Sequence, residues 1–385
     1  MTFQQILYGA EVLAQSGNPD VSGLEYDSRR LKPGDLFVAM RGETSDGNRF
    51  IDRAIASGAV AIASDSASEK PRPGVGWAQV AHGRRALARL SANFYKRPAE
   101  RLAITGITGT NGKSTTAFLV EAILSAAGRK SALVGTIEYH VAGRVLPAPH
   151  TTPESLDLNR LLGQALGAGA SEAVMEVSSH ALAQERVFSV PFNVAAFTNL
   201  TRDHLDYHHS MEEYFASKKI LFEGCGTDPP RASVINVDDE YGQKLAKASV
   251  KLQSEVFTYG WTAGDFHAER VEITSHGTRF NLITPAGGVP LFSPLIGKVN
   301  VYNILAAAAV ASARECTQDH IAKGVATLAR VPGRFERVDC GQPFTVVVDY
   351  AHTDDALRNL TGLAREFVQQ GVGKGRVITV FGCGG

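Results

Sequence analysis

The chain has 385 residues, room for two or three domains at roughly 100–200 residues each. Hydrophobic residues make up 44% and charged residues 20%, and Lys+Arg balance Asp+Glu, so neither a nucleic-acid-binding nor a membrane-surface protein is indicated. No apolar run approaches the ~18 residues of a membrane span, the start MTFQQILYGAEVLAQSG has no signal-peptide pattern, and four scattered cysteines (Cys225, Cys316, Cys340, Cys383) fit a reducing cytoplasm better than disulfides or zinc.

Residues 1–97 combine short strands and one helix with many turn residues, as in GDLFVAMRGETSDGNRFIDRAIASGAVAIAS. GRRALARLSANFYKRP predicts a helix stopped by Pro98, a domain boundary. RLAITGI then predicts a strand, and KSTTAFLVEAILSAAG a helix with Phe118, Leu119, Ala122, Ile123 and Ala126 on its apolar face, closed by Gly128. SALVGTIEY, EAVMEVSS, VAAFTNL and ASVINVD predict further strands. Strands alternating with helices imply an α/β fold whose mostly parallel sheet is covered on both faces. Ligands of such sheets sit beyond the carboxyl ends of the strands, which directs attention to Glu176, Asn199, Asp203, His204 and Asp238. After VPGRFERV (331–338), FTVVVDYAHTDDALRNLTGLAREF predicts strand, loop and helix, and GRVITVFGCGG another strand. Two strands and one helix cannot close an α/β layer, so a third domain is expected to be incomplete. The expected domains are 1–98, 99–335 and 336–385.

GITGTNGKSTT (106–116) follows a strand and opens a helix, the setting of a phosphate-binding loop. The usual spacing, G-x-x-x-x-G-K-[ST], would put its first glycine at Ile107; the glycines are instead Gly106, Gly109 and Gly112. Backbone N–H groups of Gly109, Thr110, Asn111 and Gly112, with the helix N-terminus behind them, suit phosphate oxygens. Lys113 can reach the β- and γ-phosphates, the Ser114 hydroxyl can ligate Mg²⁺, and Thr115 completes the first turn. Glu176 stands at a strand end, where a carboxylate calls for a role. TRDHLDYHH holds three histidines and two aspartates and could be read as a zinc cluster, but no cysteine is near and H-E-x-x-H is absent. HTTPES reads as a helix start, and the lysines of SKKILF as solvated helix residues.

The loop variant T-G-T-N-G-K-[ST] resembles that of the Mur ligase family and of its relative folylpolyglutamate synthetase. HTTP (150–153), EVSSHAL (176–182), FTNLTRDHLDYH (197–208), SKKILF (217–222), NVYNILAA (300–307), PGRFE (332–336) and DYAHTDDAL (349–357) extend the resemblance over essentially the whole chain. It implies three domains: a small α/β domain for a UDP-precursor, a central phosphate-loop ATPase domain with a mostly parallel sheet, and a Rossmann-like C-terminal domain for the incoming amino acid, which in the family continues past FGCGG and is expected to be incomplete here. The implied reaction is ATP-dependent amide-bond formation in peptidoglycan precursor synthesis. A third residue, meso-diaminopimelate or in the alternative L-lysine, is added to UDP-MurNAc-L-Ala-D-Glu through an acyl phosphate. The other readings are a folylpolyglutamate-synthetase-like ligase, which the UDP-binding first domain and HTTP speak against, and a nucleotide- and precursor-binding fragment without catalysis.

The resemblance implies two Mg²⁺ ions, with Ser114 and Glu176 at the first and His204 and Lys218 at the second, Lys218 as a CO₂-derived carbamate and Lys219 as a bystander. It places Asn303, Arg334 and Asp349 at the nucleotide, Arg334 at a hinge. Ser28, Thr151, Thr152, Ser178, Gln184 and Arg186 fall at the UDP-precursor. His208 and His209 are expected at the surface. His209 stands where the family usually has glycine, and Asp354 where it usually has proline. A cytoplasmic monomer is expected.

Overall fold

The computed structural model describes residues 1–42, 45–274, 276–352, 354–369 and 375–382. The N-terminal part forms a five-stranded sheet from β1 (Val12–Ser16), β2 (Gly23–Glu25), β3 (Asp35–Ala39), β4 (Ala61–Ser64) and β5 (Gly76–Val80), in the order β1-β5-β4-β3-β2. Only β1 runs antiparallel to its neighbour. One face packs on Phe3, Ile6, Leu87 and Leu90, the other on Ile51, Ala54 and Trp77. The helix Gly83–Phe94 ends before the expected stop. Lys96 and Arg97 are left-handed, with φ 61° and 51°, and Pro98 begins a short 3₁₀ turn at its first position. A proline's fixed φ suits that start.

The central sheet has eight strands: β6 (Ala103–Thr108), β7 (Ser131–Val134), β8 (Glu138–Val141), β9 (Arg144–Pro147), β10 (Glu172–Glu176), β11 (Phe192–Phe197), β12 (Ala232–Asn236) and β13 (Glu255–Tyr259). Their order is β13-β12-β11-β6-β10-β7-β8-β9, and the pairs from β13 to β7 are all parallel. SALVGTIEY is thus not one strand: the chain turns at residues 135–137, and β8 returns antiparallel to β7. Strands β10 and β12 are buried at every position, as both covered faces require. One face carries the helices Lys113–Ala126 and Lys298–Ala313, and the other the helices Ser155–Gly167 and Met211–Glu223. Lys298–Ala313 is apolar nearly all round because an antiparallel sheet of β14 (His267–Thr274), β15 (Gly277–Thr284) and β16 (Gly287–Ser293) contributes to the same core.

In the last part, β17 (Glu336–Val338) pairs antiparallel with β18 (Val346–Val348), followed by the helix Asp354–Gln369. The strand expected in GRVITVFGCGG does not form over 375–382. No strand pairs with it among the described residues, and Ile378, Val380 and Phe381 are exposed. Cys383 and the end of FGCGG lie outside the described residues, as does Thr353 of DYAHTDDAL. Asp354 opens the last helix and accepts from Arg358 Nε at 3.1 Å, one turn on. No helix among the described residues is long and apolar enough to cross a membrane.

Candidate active site

Parallel pairing brings three strand ends to one edge of the central sheet. Glu176 lies opposite Ile107 and Phe197 opposite Thr108, so the loop after β6 is flanked by Glu176 on one side and Thr198–Asn199 on the other. Gly109 has φ 146°, and a Cβ there would lie 1.9 Å from Thr198 Oγ1. Gly112 has φ 89°, and a Cβ there would lie 2.5 Å from Asn303 Oδ1. Both positions therefore demand glycine, for conformation and for space. Thr198 and Asn199 clamp the loop. Thr198 Oγ1 donates to Asn111 O at 2.6 Å, Asn111 N to Asn199 Oδ1 at 3.0 Å, and Thr110 N to Asn199 O at 2.8 Å.

Two lysines converge on this loop. Lys113 Nζ donates to Gly109 O at 3.0 Å and Thr110 O at 2.8 Å, and Lys218 Nζ donates to the same Gly109 O at 3.0 Å. Lys218 is 1% exposed, and its ammonium lies 4.4 Å from the Tyr214 ring centroid. Burial holds both lysines below the usual range, Lys218 well below it with Lys113 adding to the effect. The Tyr214 hydroxyl lies 3.3 Å from Thr110 Oγ1, so one tyrosine touches both the loop and Lys218.

His204, left-handed at φ 51°, faces Asp203 Oδ2 at 3.4 Å. Burial keeps its imidazole below the usual histidine range, Asp203 opposing and His180, Lys218 and Lys113 assisting. His208 departs from expectation. It is buried, with Ser179 Oγ at 2.9 Å and Ser217 Oγ at 3.3 Å on its two ring nitrogens, and it stacks on Tyr214 at 5.1 Å. One turn of helix after His204 puts it under the site rather than in solvent. His209 is exposed as expected and sits at φ 62°, where a glycine would be relaxed. Among the described residues, no group of three or more His, Cys, Asp or Glu side chains is disposed to hold a metal ion.

Glu176 is 1% exposed, and its carboxylate is held by Thr136: the backbone N–H donates to Oε1 at 2.7 Å and the hydroxyl to Oε2 at 2.9 Å. Thr152 donates to Glu176 O at 2.9 Å and accepts from Ser178 N at 3.1 Å, so it does not cap the following helix. That helix starts after Glu154 with no side-chain cap. Thr151 Oγ1 lies 3.1 Å from Thr136 Oγ1. Ser178 does cap, accepting from Ala181 N at 3.2 Å. Arg186 donates to Gln184 Oε1 at 2.6 Å and Thr152 O at 3.1 Å, and pairs with Glu154 at 3.1 Å. Arg84, from the first sheet's helix, joins the same Glu154 at 3.3 Å. Ser28 is buried in the N-terminal part, and no hydrogen bond joins it to these groups among the described residues.

Arg334 Nη2 donates to Ser114 Oγ at 3.2 Å, and its guanidinium lies 5.2 Å from the Tyr350 ring centroid. Asp349 fixes the bend beneath it, accepting from Phe335 N at 2.7 Å and Ala351 N at 2.8 Å. Thr115 is buried in the first turn of the loop's helix, and Asn303 is bonded to Asn300 Oδ1 at 3.1 Å. Sequence reading missed Thr136, Thr198, Tyr214 and Arg84. Thr136 and Thr198 each follow a parallel strand, a position that could have flagged them.

The profile of the Mur ligase middle domain matches residues 107–311, that of the Mur ligase family catalytic domain residues 20–95, and that of the Mur ligase glutamate ligase domain residues 333–385. The chain belongs to the Mur ligase family. It is 52% identical over 377 residues to a UDP-N-acetylmuramoyl-L-alanyl-D-glutamate–2,6-diaminopimelate ligase of Solibacter usitatus, covering 98% of this chain and 74% of that one. A ligase of the same name from Geobacter metallireducens is 47% identical, with 95% and 71% covered. A solved structure of a UDP-N-acetylmuramoyl-L-alanyl-D-glutamate–2,6-diaminopimelate ligase superposes with a TM-score of 0.79 at 28% identity, covering 95% of this Mur ligase chain and 74% of that chain.

Proposed function

We propose that this Mur ligase is an ATP-dependent amide ligase that joins meso-diaminopimelate to UDP-MurNAc-L-Ala-D-Glu. The observation that carries the reading is the meeting of Lys113 and Lys218 on the Gly109 carbonyl, beside a buried Glu176. The relatives named for this reaction support the choice of substrates. The first sheet and the match over residues 20–95 speak for a UDP-precursor ligase over a folylpolyglutamate synthetase. On this reading, residues 1–98 hold the UDP end, 99–335 the nucleotide and 336–385 part of the amino-acid site, in a cytoplasmic monomer.

A carboxylate is a poor acyl donor. An oxygen of the precursor's D-Glu carboxylate attacks the γ-phosphorus of ATP, the bond to the β-phosphate oxygen breaks, and ADP leaves. The amine of the diamino acid then attacks the acyl carbon, the carbon–oxygen bond to phosphate breaks, and the amine gives up a proton. Both steps gather negative charge, so preorganised cations and N–H donors matter most. Lys113 exchanges its loop carbonyls for β- and γ-phosphate oxygens, and the N–H groups of Gly109–Gly112 line the phosphates. Asn303, Arg334 and Asp349 shape the nucleotide site. Thr151, Thr152, Ser178, Gln184 and Arg186 line the precursor's path, with Ser28 nearer its uridine end.

The residues fit magnesium unequally. The Ser114 hydroxyl and the Glu176 carboxylate are hard oxygen donors and suit one ion. Lys218 as an amine, packed beside Lys113, would repel a second ion; as a carbamate it would offer oxygen, with His204 as its companion. Bound Mg²⁺ would neutralise charge building on the transferring phosphoryl group.

The test is phosphate release from ATP with Mg²⁺, bicarbonate and UDP-MurNAc-L-Ala-D-Glu, in parallel with meso-diaminopimelate, L-lysine or no amine. Release that requires meso-diaminopimelate is expected. Release with L-lysine alone would change the third residue, and none with either amine would sink the reading.

A further inference from the structure

We propose that Thr136 is a positioning residue that fixes the Glu176 carboxylate and links it to the loop at 150–153. The inference rests on the ligase reading for its chemistry and on local geometry for its argument. Thr136 lies in the turn beyond the carboxyl end of β7, and β7 pairs in parallel with β10, Val134 opposite Met175. The turn is thereby brought level with Glu176. Each carboxylate oxygen takes one bond from this single residue, Oε1 from its N–H at 2.7 Å and Oε2 from its hydroxyl at 2.9 Å. Gly135 makes the approach possible, since a Cβ there would lie 2.4 Å from Glu176 Oε1. Two fixed donors on a buried carboxylate select one rotamer of a side chain that would otherwise be free to turn.

Proton bookkeeping gives the link a direction. The Thr136 hydroxyl has one proton and donates it to Glu176 Oε2. The 3.1 Å contact with Thr151 must then run from the Thr151 hydroxyl to the Thr136 oxygen. Thr151 has no proton left and meets a ligand as an acceptor, suited to a sugar hydroxyl or an amide N–H of the precursor rather than to a phosphate oxygen. Thr152 supplies a second link, through the Glu176 backbone carbonyl at 2.9 Å. Successive threonines of one loop therefore reach Glu176 by two routes, Thr151 through the Thr136 hydroxyl and Thr152 at the backbone carbonyl. A ligand seated on that loop acts on the orientation of the carboxylate that faces the nucleotide.

The experiment compares wild type, Thr136→Val and Thr136→Ser. Valine keeps the shape and the backbone donor and deletes the hydroxyl; serine keeps the hydroxyl. Mn²⁺ binding is measured by electron paramagnetic resonance with a non-hydrolysable ATP analogue, with and without UDP-MurNAc-L-Ala-D-Glu, beside steady-state kinetics and melting temperature. Thr136→Val is expected to weaken Mn²⁺ binding about tenfold or more and to lower kcat more than it raises the KM for ATP. It should also abolish any tightening of Mn²⁺ by the UDP substrate, and Thr136→Ser should restore all three. Wild-type Mn²⁺ affinity and kcat in Thr136→Val, with the parent making tripeptide, would overturn the inference and leave the ligase reading intact. A parent that makes no tripeptide, with Mn²⁺ still weakened in Thr136→Val, would remove the ligase reading and keep the positioning role. Should Thr136→Val fail to fold, weakened Mn²⁺ in a folded Thr136→Ser, which retains the hydroxyl, would also overturn it.

Discussion

Adjacent lysines on one helix, Lys218 and Lys219, meet opposite surroundings. Lys219 reaches solvent and pairs with Glu223 at 2.6 Å, one turn on. Lys218 is turned about 100° away by the helix repeat, into the sheet edge, where Gly109 O and the Tyr214 ring receive it. An ammonium with a full shell of water outside gives up far more than one carbonyl returns. A lysine retained there needs a reason beyond stability, and the carbamate reading supplies one. Lys218→Ala is accordingly expected to lose on the order of 10²-fold or more in kcat. Lys219→Ala should leave activity near wild type. Wild-type activity should fall in CO₂-stripped buffer and return with millimolar bicarbonate. Phosphate release under those conditions decides it: full activity of Lys218→Ala would end the assignment.

At the scale of elements, the antiparallel strand β8 is tied to the phosphate-loop helix by one histidine. His140 Nδ1 meets Glu121 Oε2 at 2.7 Å, from the helix Lys113–Ala126, and Nε2 meets Glu138 Oε1 at 2.9 Å, from its own strand. The Phe118 ring stands edge-on at 5.4 Å, and Val145 of β9 lies opposite in the ladder. Hydrogen bonding to Glu121, partly offset by burial and helped by Glu138, raises its pKa from 6.5 to about 9. The folded value lies above the unfolded one, so the stabilisation is complete below pH 6.5 and is lost as pH climbs through about 9. His140→Gln should melt roughly 2–4 °C below wild type at pH 6, a gap that closes toward pH 10. A gap that stays constant across that range would show the contact to be steric rather than ionic.

This element also marks what could be read in advance. β6, β10, β11 and β12 announce themselves as short apolar runs because both faces are covered. The turn inside SALVGTIEY gives no such signal, since its apolar residues continue through it. The loop glycines, Lys113 and Glu176 are placed by local chemistry that the sequence states outright. Thr136 and Thr198 owe their roles to neighbours 40 and 87 residues away in the chain, and no local pattern carries that pairing. His208 fails for a similar reason. Its burial follows from Ser179 and Tyr214, which approach from other elements.

At the scale of the whole molecule, Arg334 carries the contact between the last segment and the phosphate loop. Its donor to Ser114 Oγ reaches across 220 residues of chain, and it occupies the hydroxyl proposed to face the nucleotide's metal. A guanidinium and a divalent cation cannot share that oxygen without strong repulsion. Nucleotide with Mg²⁺ should therefore move Arg334 off Ser114 and onto phosphate oxygens, where its planar fork makes paired bonds. The backbone around it is already bent for such a movement: Phe335 sits at φ 45°, pinned by Asp349, and Tyr350 N bonds Gly333 O at 2.9 Å. Arg334 moving as a unit with β17 and β18 would carry the helix Asp354–Gln369 with it, and with it the amino-acid side of the reaction. Small-angle scattering with and without Mg²⁺–ATP analogue reads this directly. Wild type is expected to change its radius of gyration on adding nucleotide, and Arg334→Ala to keep its free-state value while still binding the nucleotide. An equal change in Arg334→Ala would assign the coupling to the Asp349 bend instead, because that bend survives the substitution.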